Sequence, residues 1–127
     1  MLKAGQTILL PKPGLATLHL WVVAIAPDSA SYDAVIVNFS TQRHQSDNTV
    51  VLQPGDHPFV QHATVVFFAD ARLTDARHVA AALKAGTFQS HKDCSPALLL
   101  RIQKGLLASP YTSQKIKDFA RQRLSIF

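Results

Sequence analysis

The sequence has little cysteine and no long apolar run, and each shortage excludes a class of structure. Cys94 is the single cysteine among 127 residues, so neither an internal disulfide nor a cysteine-based zinc site can form. The longest apolar runs, residues 20–26 and 63–69, are far shorter than the roughly 20 residues of a membrane span. No secretory signal, glycine-rich phosphate loop, nucleophile elbow or carboxylate pair is recognisable. A soluble, cytoplasmic protein without membrane contact is therefore expected.

Positive charge is concentrated at the C-terminal end of the chain. Residues 1–97 carry seven lysines and arginines and seven aspartates, whereas residues 98–127 carry six lysines and arginines and Asp118 alone. A basic segment attracts phosphates or an acidic partner chain, although the same composition is also typical of a solvated helix face. If it binds an anionic substrate, Lys115 and Arg121 are candidates for the contact.

The first half of the chain has strand patterns and the second half has helical periodicity. This change of period predicts an α+β fold in a single domain, residues 1–127. Short strands with polar turns favour a small, strongly curved sheet or barrel over residues 1–73, and two or three helices are expected over residues 74–127. The strand segments are Thr7–Leu10, Leu18–Ala26, Tyr32–Ser40, Asn48–Gln53, which is expected to pair with the segment before it, and Ala63–Leu73.

Apolar residues at helical spacing indicate the C-terminal helices. Thr74 is expected to cap the first helix and Ser95 the second, because hydroxyl side chains accept hydrogen bonds from the first free amides. Gly105 lies inside the second helix, where glycine costs about 1 kcal/mol relative to alanine unless close packing requires it. The buried stripes are expected to include Val79, Ala82, Leu83, Leu98, Leu99, Ile102, Leu106, Leu107, Ile116, Phe119 and Ala120.

The order of four short segments is informative about family. AGQTILL at residues 4–10 is followed by HLWVVAIAP at 19–27, by AVIVNFSTQ at 34–42 and by TVVLQPG at 49–55. In order and pattern, these segments resemble the MazF/PemK/Kid family of bacterial toxins over about residues 4–73. The resemblance implies a small SH3-like barrel with helices. It also implies a homodimeric, metal-independent endoribonuclease that cleaves single-stranded RNA, needs no cofactor and is held inactive by a protein antitoxin.

The second strand departs from the family pattern at the position of a catalytic cation. The family usually carries an arginine immediately before the proline that opens this strand, and this sequence has Leu20-Trp21 there. The family arginine is therefore missing at Leu20, which leaves open whether the chain is an enzyme. Arg43 is a candidate to replace the missing cation.

Side chains suited to handling phosphate follow the third strand segment. Cutting RNA without a metal requires a base for the 2′-hydroxyl, charge stabilisation at phosphorus and an acid for the leaving oxygen. Histidine titrates near neutrality, and the arginine fork matches phosphate oxygens. We expect neighbouring strands to bring such groups to one groove. The catalytic candidates are His19, Thr41, Arg43 and His44, and the substrate-binding candidates are Ser40, Gln42, His57, Lys115 and Arg121.

The same residues also have ordinary structural interpretations. Ser40–Gln42 is what a strand needs to leave a sheet with hydrogen-bonded turns, and His19 can point to solvent under strand alternation. Asp56, His57 and His62 match no tetrahedral signature, so no metal site is predicted. The competing functional interpretation is a non-catalytic module of the same barrel class that binds nucleic acid or a protein partner.

Overall fold

A computed structural model describes residues 2–11 and 18–124, which form six strands and three helices in an α+β arrangement. All strand pairs are antiparallel and belong to one sheet. In chain order the elements are β1 (Thr7–Pro11), β2 (Leu18–Ile25), β3 (Asp33–Thr41), β4 (Val51–Leu52), β5 (Thr64–Asp75), α1 (Ala76–Ala85), β6 (Gln89–His91), α2 (Pro96–Ala108) and α3 (Gln114–Arg123). The order of strands across the sheet is β4-β5-β3-β2-β1-β6.

The sheet is covered on both faces, which explains the unbroken apolar run of β2. Leu20 and Val22 enter the larger core, to which α2 and α3 contribute. Trp21 and Val23 enter the smaller core on the opposite face, to which α1 contributes. The predicted helical stripes are buried at Val79, Leu98, Ile102, Leu106, Ile116 and Ala120.

None of the helices in the described ranges combines the length and the apolar composition that crossing a bilayer requires.

The sheet is curled into a half-barrel. Irregular pairing interrupts the β2–β3 ladder near Val23 and the β3–β5 ladder near Ile36, and such bulges bend strands. The loop after β4 reaches the residue that follows β6, where His57 Nε2 donates a hydrogen bond to the Lys92 carbonyl oxygen at 2.6 Å. This hydrogen bond therefore links the segments that follow the two edge strands, β4 and β6.

Two strands differ from the sequence-based expectation. The strand predicted over Asn48–Gln53 is reduced to β4, and it pairs with β5 rather than with β3. The cause is Asp47, whose carboxylate accepts hydrogen bonds from the backbone N–H and the hydroxyl of Thr49 and holds the chain in a bend. The polar segment Gln89–His91 forms β6 within the part of the chain predicted to be helical.

The start of α1 also differs by one residue from the prediction. Asp75 caps this helix, accepting a hydrogen bond from the Arg77 N–H at 2.9 Å, whereas Thr74 still belongs to β5. Ser95 caps α2 as predicted, with its hydroxyl accepting from the Leu98 N–H at 3.1 Å.

Gly105 marks a close approach between α2 and the rest of the core. A Cβ atom at this position would lie 2.5 Å from Val50 Cγ2 and 2.6 Å from Phe68 Cζ. Because carbon atoms prefer separations of about 3.5–4.0 Å, close packing requires glycine here. The low helix propensity of glycine is therefore tolerated in α2, because a larger residue would prevent this close packing.

Candidate functional site

A cleft opens at the end of the sheet where β2 and β3 stop pairing. In the described residues, their ladder ends at Trp21 opposite Asn38. Beyond that point β2 continues on β1, and β3 continues on β5 as far as Thr41 opposite Thr64. The cleft has a volume of about 490 Å³, which is within the range of small-molecule sites.

Several of the predicted site residues line this cleft together. The residues that line it are Leu18, His19, Phe39, Ser40, Thr41, Arg43, Phe59, His62 and Thr64. None of these described residues carries a carboxylate, so one guanidinium and two imidazoles dominate the electrostatic field of the cleft. Such a field favours an anionic ligand.

The side chains of Thr41 and His62 contact each other in the cleft. Thr41 Oγ1 lies 3.0 Å from His62 Nε2, and both side chains are exposed. The backbone holds the two residues in place, because the Thr64 hydroxyl donates to the His62 carbonyl oxygen at 2.8 Å and the Gln42 N–H donates to the Ala63 carbonyl oxygen at 3.0 Å. The hydroxyl and the imidazole are therefore presented as a pair.

Arg43 lies in the loop that follows β3. Its N–H donates to the Ser46 hydroxyl at 2.7 Å, and its carbonyl oxygen accepts from the Ser46 N–H at 3.2 Å, which closes a tight turn. Within the described part of the chain, the guanidinium forms no ion pair with a carboxylate. This cation is therefore available to an incoming anion.

Asp47 anchors the same loop from its buried side. Its carboxylate accepts from the Ser109 hydroxyl at 2.7 Å and from the Thr49 hydroxyl at 2.6 Å. Burial raises the pKa of this carboxyl, but the hydrogen bonds from Ser109 and Thr49 outweigh it and leave the pKa below its ordinary value. The ionised carboxylate thereby ties the loop that carries Arg43 to the junction between α2 and α3.

His19 reaches the cleft from β2. It lies opposite Leu10 of β1 and is partly buried. His19 lies on β2 and Thr41 at the end of β3, so the tertiary fold brings the imidazole and the hydroxyl to the same cleft. Sequence spacing alone does not bring them together.

Two predicted residues of the β3–β4 loop lie outside the cleft. His44 is exposed next to Arg43 but is not among the described residues that line the cleft. Gln42 turns its amide to Asn48, with Nε2 donating to the Asn48 carbonyl-type oxygen Oδ1 at 2.9 Å. Gln42 and His44, both predicted site residues, are therefore sequence neighbours of the cleft lining and not part of it.

His57 has a structural role and does not line the cleft. Its side chain is buried, Nε2 donates to the Lys92 carbonyl oxygen at 2.6 Å, and Nδ1 accepts from the Phe59 N–H at 3.1 Å. Burial lowers the pKa of this imidazole below its ordinary value. The two partners assign the neutral tautomer with the proton on Nε2. In the described residues, no three histidine, cysteine or carboxylate side chains converge as metal ligands would.

The basic side chains of α3 are not among the described residues that line the cleft. Arg121 pairs with Asp118 at 3.4 Å, and Lys115 is exposed. The C-terminal end of α3 is fixed by Arg123, which donates to the Ala26 carbonyl oxygen and pairs with Asp28. That attachment lies just past the end of β2 opposite to the cleft, about 20 Å along the strand at 3.3 Å per residue.

The sequence-based site leaves out five residues of the described lining, and His62 is the one among them with an ionisable side chain; the five are Leu18, Phe39, Phe59, His62 and Thr64. His62 lies two residues before Thr64, the first residue of β5, and Thr64 pairs with Thr41 at the end of β3. A prediction that β3 pairs with β5 would have found it, because the residue just before one antiparallel strand meets the residue just after its neighbour. The expected pairing of β3 with Asn48–Gln53 does not place His62 near Thr41.

The cleft can bind an oxyanion through Arg43 and exchange protons with it through His19 and His62. No family model, curated protein or solved structure matches this chain. A function is therefore inferred from the chemistry of the cleft.

Proposed function

We propose that the chain is a toxin-like endoribonuclease that cleaves single-stranded RNA in this cleft without a metal ion. One observation supports the proposal above the others. Two imidazoles, a guanidinium and hydroxyl groups line one cleft, and its described lining carries no carboxylate. Such a set attracts a phosphodiester and can move protons at it.

The proposed reaction gives roles to both histidines, to Arg43 and to Thr41 of the cleft. One histidine removes the proton of the 2′-hydroxyl, and the 2′ oxygen attacks the neighbouring phosphorus. The bond from phosphorus to the 5′ oxygen breaks, and the second histidine donates a proton to that oxygen, which leaves a 2′,3′-cyclic phosphate and a 5′-hydroxyl. We assign these transfers to His19 and His62. Arg43 balances charge at the phosphate, and Thr41 orients His62 through their contact of 3.0 Å.

The fold family and the partners belong to the same proposal. A curled antiparallel sheet with C-terminal helices is compatible with the SH3-like barrel of the MazF/PemK/Kid toxins. Under this proposal the protein is a cytoplasmic homodimer that an antitoxin inhibits. Lys115 and Arg121 are exposed on α3, so we assign that surface to an acidic segment of the antitoxin.

A non-catalytic module that binds RNA is the second candidate. Leu20 stands where the family carries its arginine, and it is fully buried in the larger core. No cation can act from that position. If Arg43 does not take over the role, the cleft keeps its attraction for phosphate and loses the catalytic step.

Digestion of RNA by the purified protein in the presence of EDTA separates the two candidates. The ribonuclease proposal expects cleaved products whose ends carry a 2′,3′-cyclic phosphate and a 5′-hydroxyl, at an unchanged rate when the chelator is added. Intact RNA, together with measurable binding of the same RNA, would favour the binding module. Cleavage that EDTA abolishes would contradict the proposed chemistry.

A further inference from the structure

Phe59 gives the cleft an aromatic surface beside its polar groups. This residue lies in the loop between β4 and β5, lines the cleft and is only partly buried. It also packs against the larger core, so one part of the ring is fixed while another part borders open space. Leu18 and Phe39 add further apolar lining.

The position of Phe59 is fixed from two sides. Its ring meets the His91 ring edge-on, with the centroids 6.1 Å apart and an interplanar angle of 85°. Its backbone N–H donates to His57 Nδ1 at 3.1 Å, and His57 Nε2 donates in turn to the Lys92 carbonyl oxygen. The buried histidine therefore acts as a positioning residue for the ring. A ring that is held in place before binding loses little conformational freedom when a ligand stacks on it.

The cleft combines the two surfaces that a nucleotide requires. A base has flat apolar faces that stack on aromatic rings, and the backbone is anionic. Phe59 offers the ring, Arg43 offers the cation, and the volume of about 490 Å³ suits a ligand of this size.

The hydrogen-bonding groups of the described lining are hydroxyls and imidazoles, which can bond to more than one base, and the guanidinium of Arg43, which we assign to the phosphate. Base identity in RNA is read by hydrogen bonds to base edges, for which asparagine and glutamine amides are common partners. The described lining contains no amide side chain. Gln42, the nearest amide in sequence, donates to Asn48 instead. Stacking, by contrast, is available to every base.

We infer that the cleft holds one nucleotide of single-stranded RNA with its base stacked on Phe59, and that it discriminates weakly between bases. The inference rests on the proposed function for the choice of RNA as the ligand. It adds the mode of binding and the expected breadth of sequence that the protein accepts.

The test uses 2′-O-methyl oligonucleotides of A, C and U, eight nucleotides long, because they keep bases and phosphates but cannot be cleaved. Binding is measured by fluorescence anisotropy at one fixed salt concentration. Phe59→Leu keeps an apolar side chain in the core and removes the ring. We expect it to weaken binding at least about fivefold, toward the low end of the loss seen when stacking rings are removed. We also expect the three oligonucleotides to bind the unmodified protein within about tenfold of one another.

Tyr111→Leu is the matched control, because Tyr111 is an exposed aromatic residue outside the cleft lining. An equal loss of binding in this variant would overturn the inference, as would unchanged binding by Phe59→Leu or a preference among bases of more than about tenfold. Phe59→Trp gives a second reading that does not depend on Phe59→Leu being folded. Its fluorescence should be quenched by each oligonucleotide, and no quenching at saturation would contradict stacking.

The two proposals fail separately in this design. If ordinary RNA stays intact but 2′-O-methyl RNA binds in a way that depends on Phe59, the ribonuclease proposal fails and the stacking inference stands. If ordinary RNA is cleaved and Phe59→Leu binds 2′-O-methyl RNA normally, the stacking inference fails and the ribonuclease proposal stands.

Discussion

Replacing Gly105 by alanine sets a favourable backbone effect against an unfavourable packing effect. Alanine is about 1 kcal/mol better than glycine in a helix interior. The added Cβ would lie 2.5 Å from Val50 Cγ2 and 2.6 Å from Phe68 Cζ, about 1 Å closer than apolar carbons prefer. Overpacking costs about 1–3 kcal/mol, and both neighbours are buried, which places this site at the upper end. The free energy of unfolding should therefore fall by about 2 kcal/mol.

Urea unfolding followed by circular dichroism measures this change, and the melting temperature should fall by about 6–10 °C for a chain of this size. The double variant Gly105→Ala with Val50→Ala tests the cause, because it removes one of the two overlapping groups. It should be less destabilised than the sum of the single variants. A Gly105→Ala protein that is more stable than the parent would show that α2 does not approach the core as closely as described.

Three further predictions concern buried titratable groups. Burial lowers the pKa of His57 below 6.5, so the unfolded chain binds a proton more readily than the folded one. The free energy of unfolding should therefore stay constant above pH 6.5 and fall as the pH drops below it. His57→Gln should remove that fall from the pH profile. Asp47 has a lowered pKa as well, so its contribution should be lost only below about pH 3.8; Asp47→Ala should cost about 1–3 kcal/mol at neutral pH, because the buried Ser109 hydroxyl loses its acceptor. Burial raises the pKa of Cys94 to about 12, so a thiol reagent at pH 8 should modify it only after denaturant unfolds the chain.

The elements with strong periodicity were predictable, and the weakly patterned ones were not. The stripes of α2 and α3 repeat at helical spacing, and Ile102, Leu106 and Ile116 are buried where that spacing puts them. β6 (Gln89–His91) consists of polar residues that are not buried in a core. It therefore lacks the alternation of apolar and polar residues that predicts a strand. Its strand structure comes from pairing with β1, which only the tertiary fold supplies.

The candidate site was predictable to the extent that strand ends determine it. His19 and Thr41 lie near the ends of β2 and β3, and both line the cleft. His44 is adjacent to Arg43 in sequence, but adjacency in a loop does not fix which side chain borders a cleft, and only Arg43 lines it. His57 lies in a loop that folds back onto Lys92, and this buries the ring. His62 enters through the pairing of β3 with β5, a long-range contact that composition and spacing do not reveal.

The most direct test of the proposed ribonuclease compares His62→Ala with His44→Ala in the EDTA digestion. Both variants remove one exposed histidine within the same region, and only His62 lines the cleft. We expect His62→Ala to lower the cleavage rate by about 10²–10⁴-fold, the usual contribution of a general acid or base, while His44→Ala cleaves at nearly the parent rate. Equal rates in the two variants, or a loss confined to His44→Ala, would contradict an active centre in this cleft.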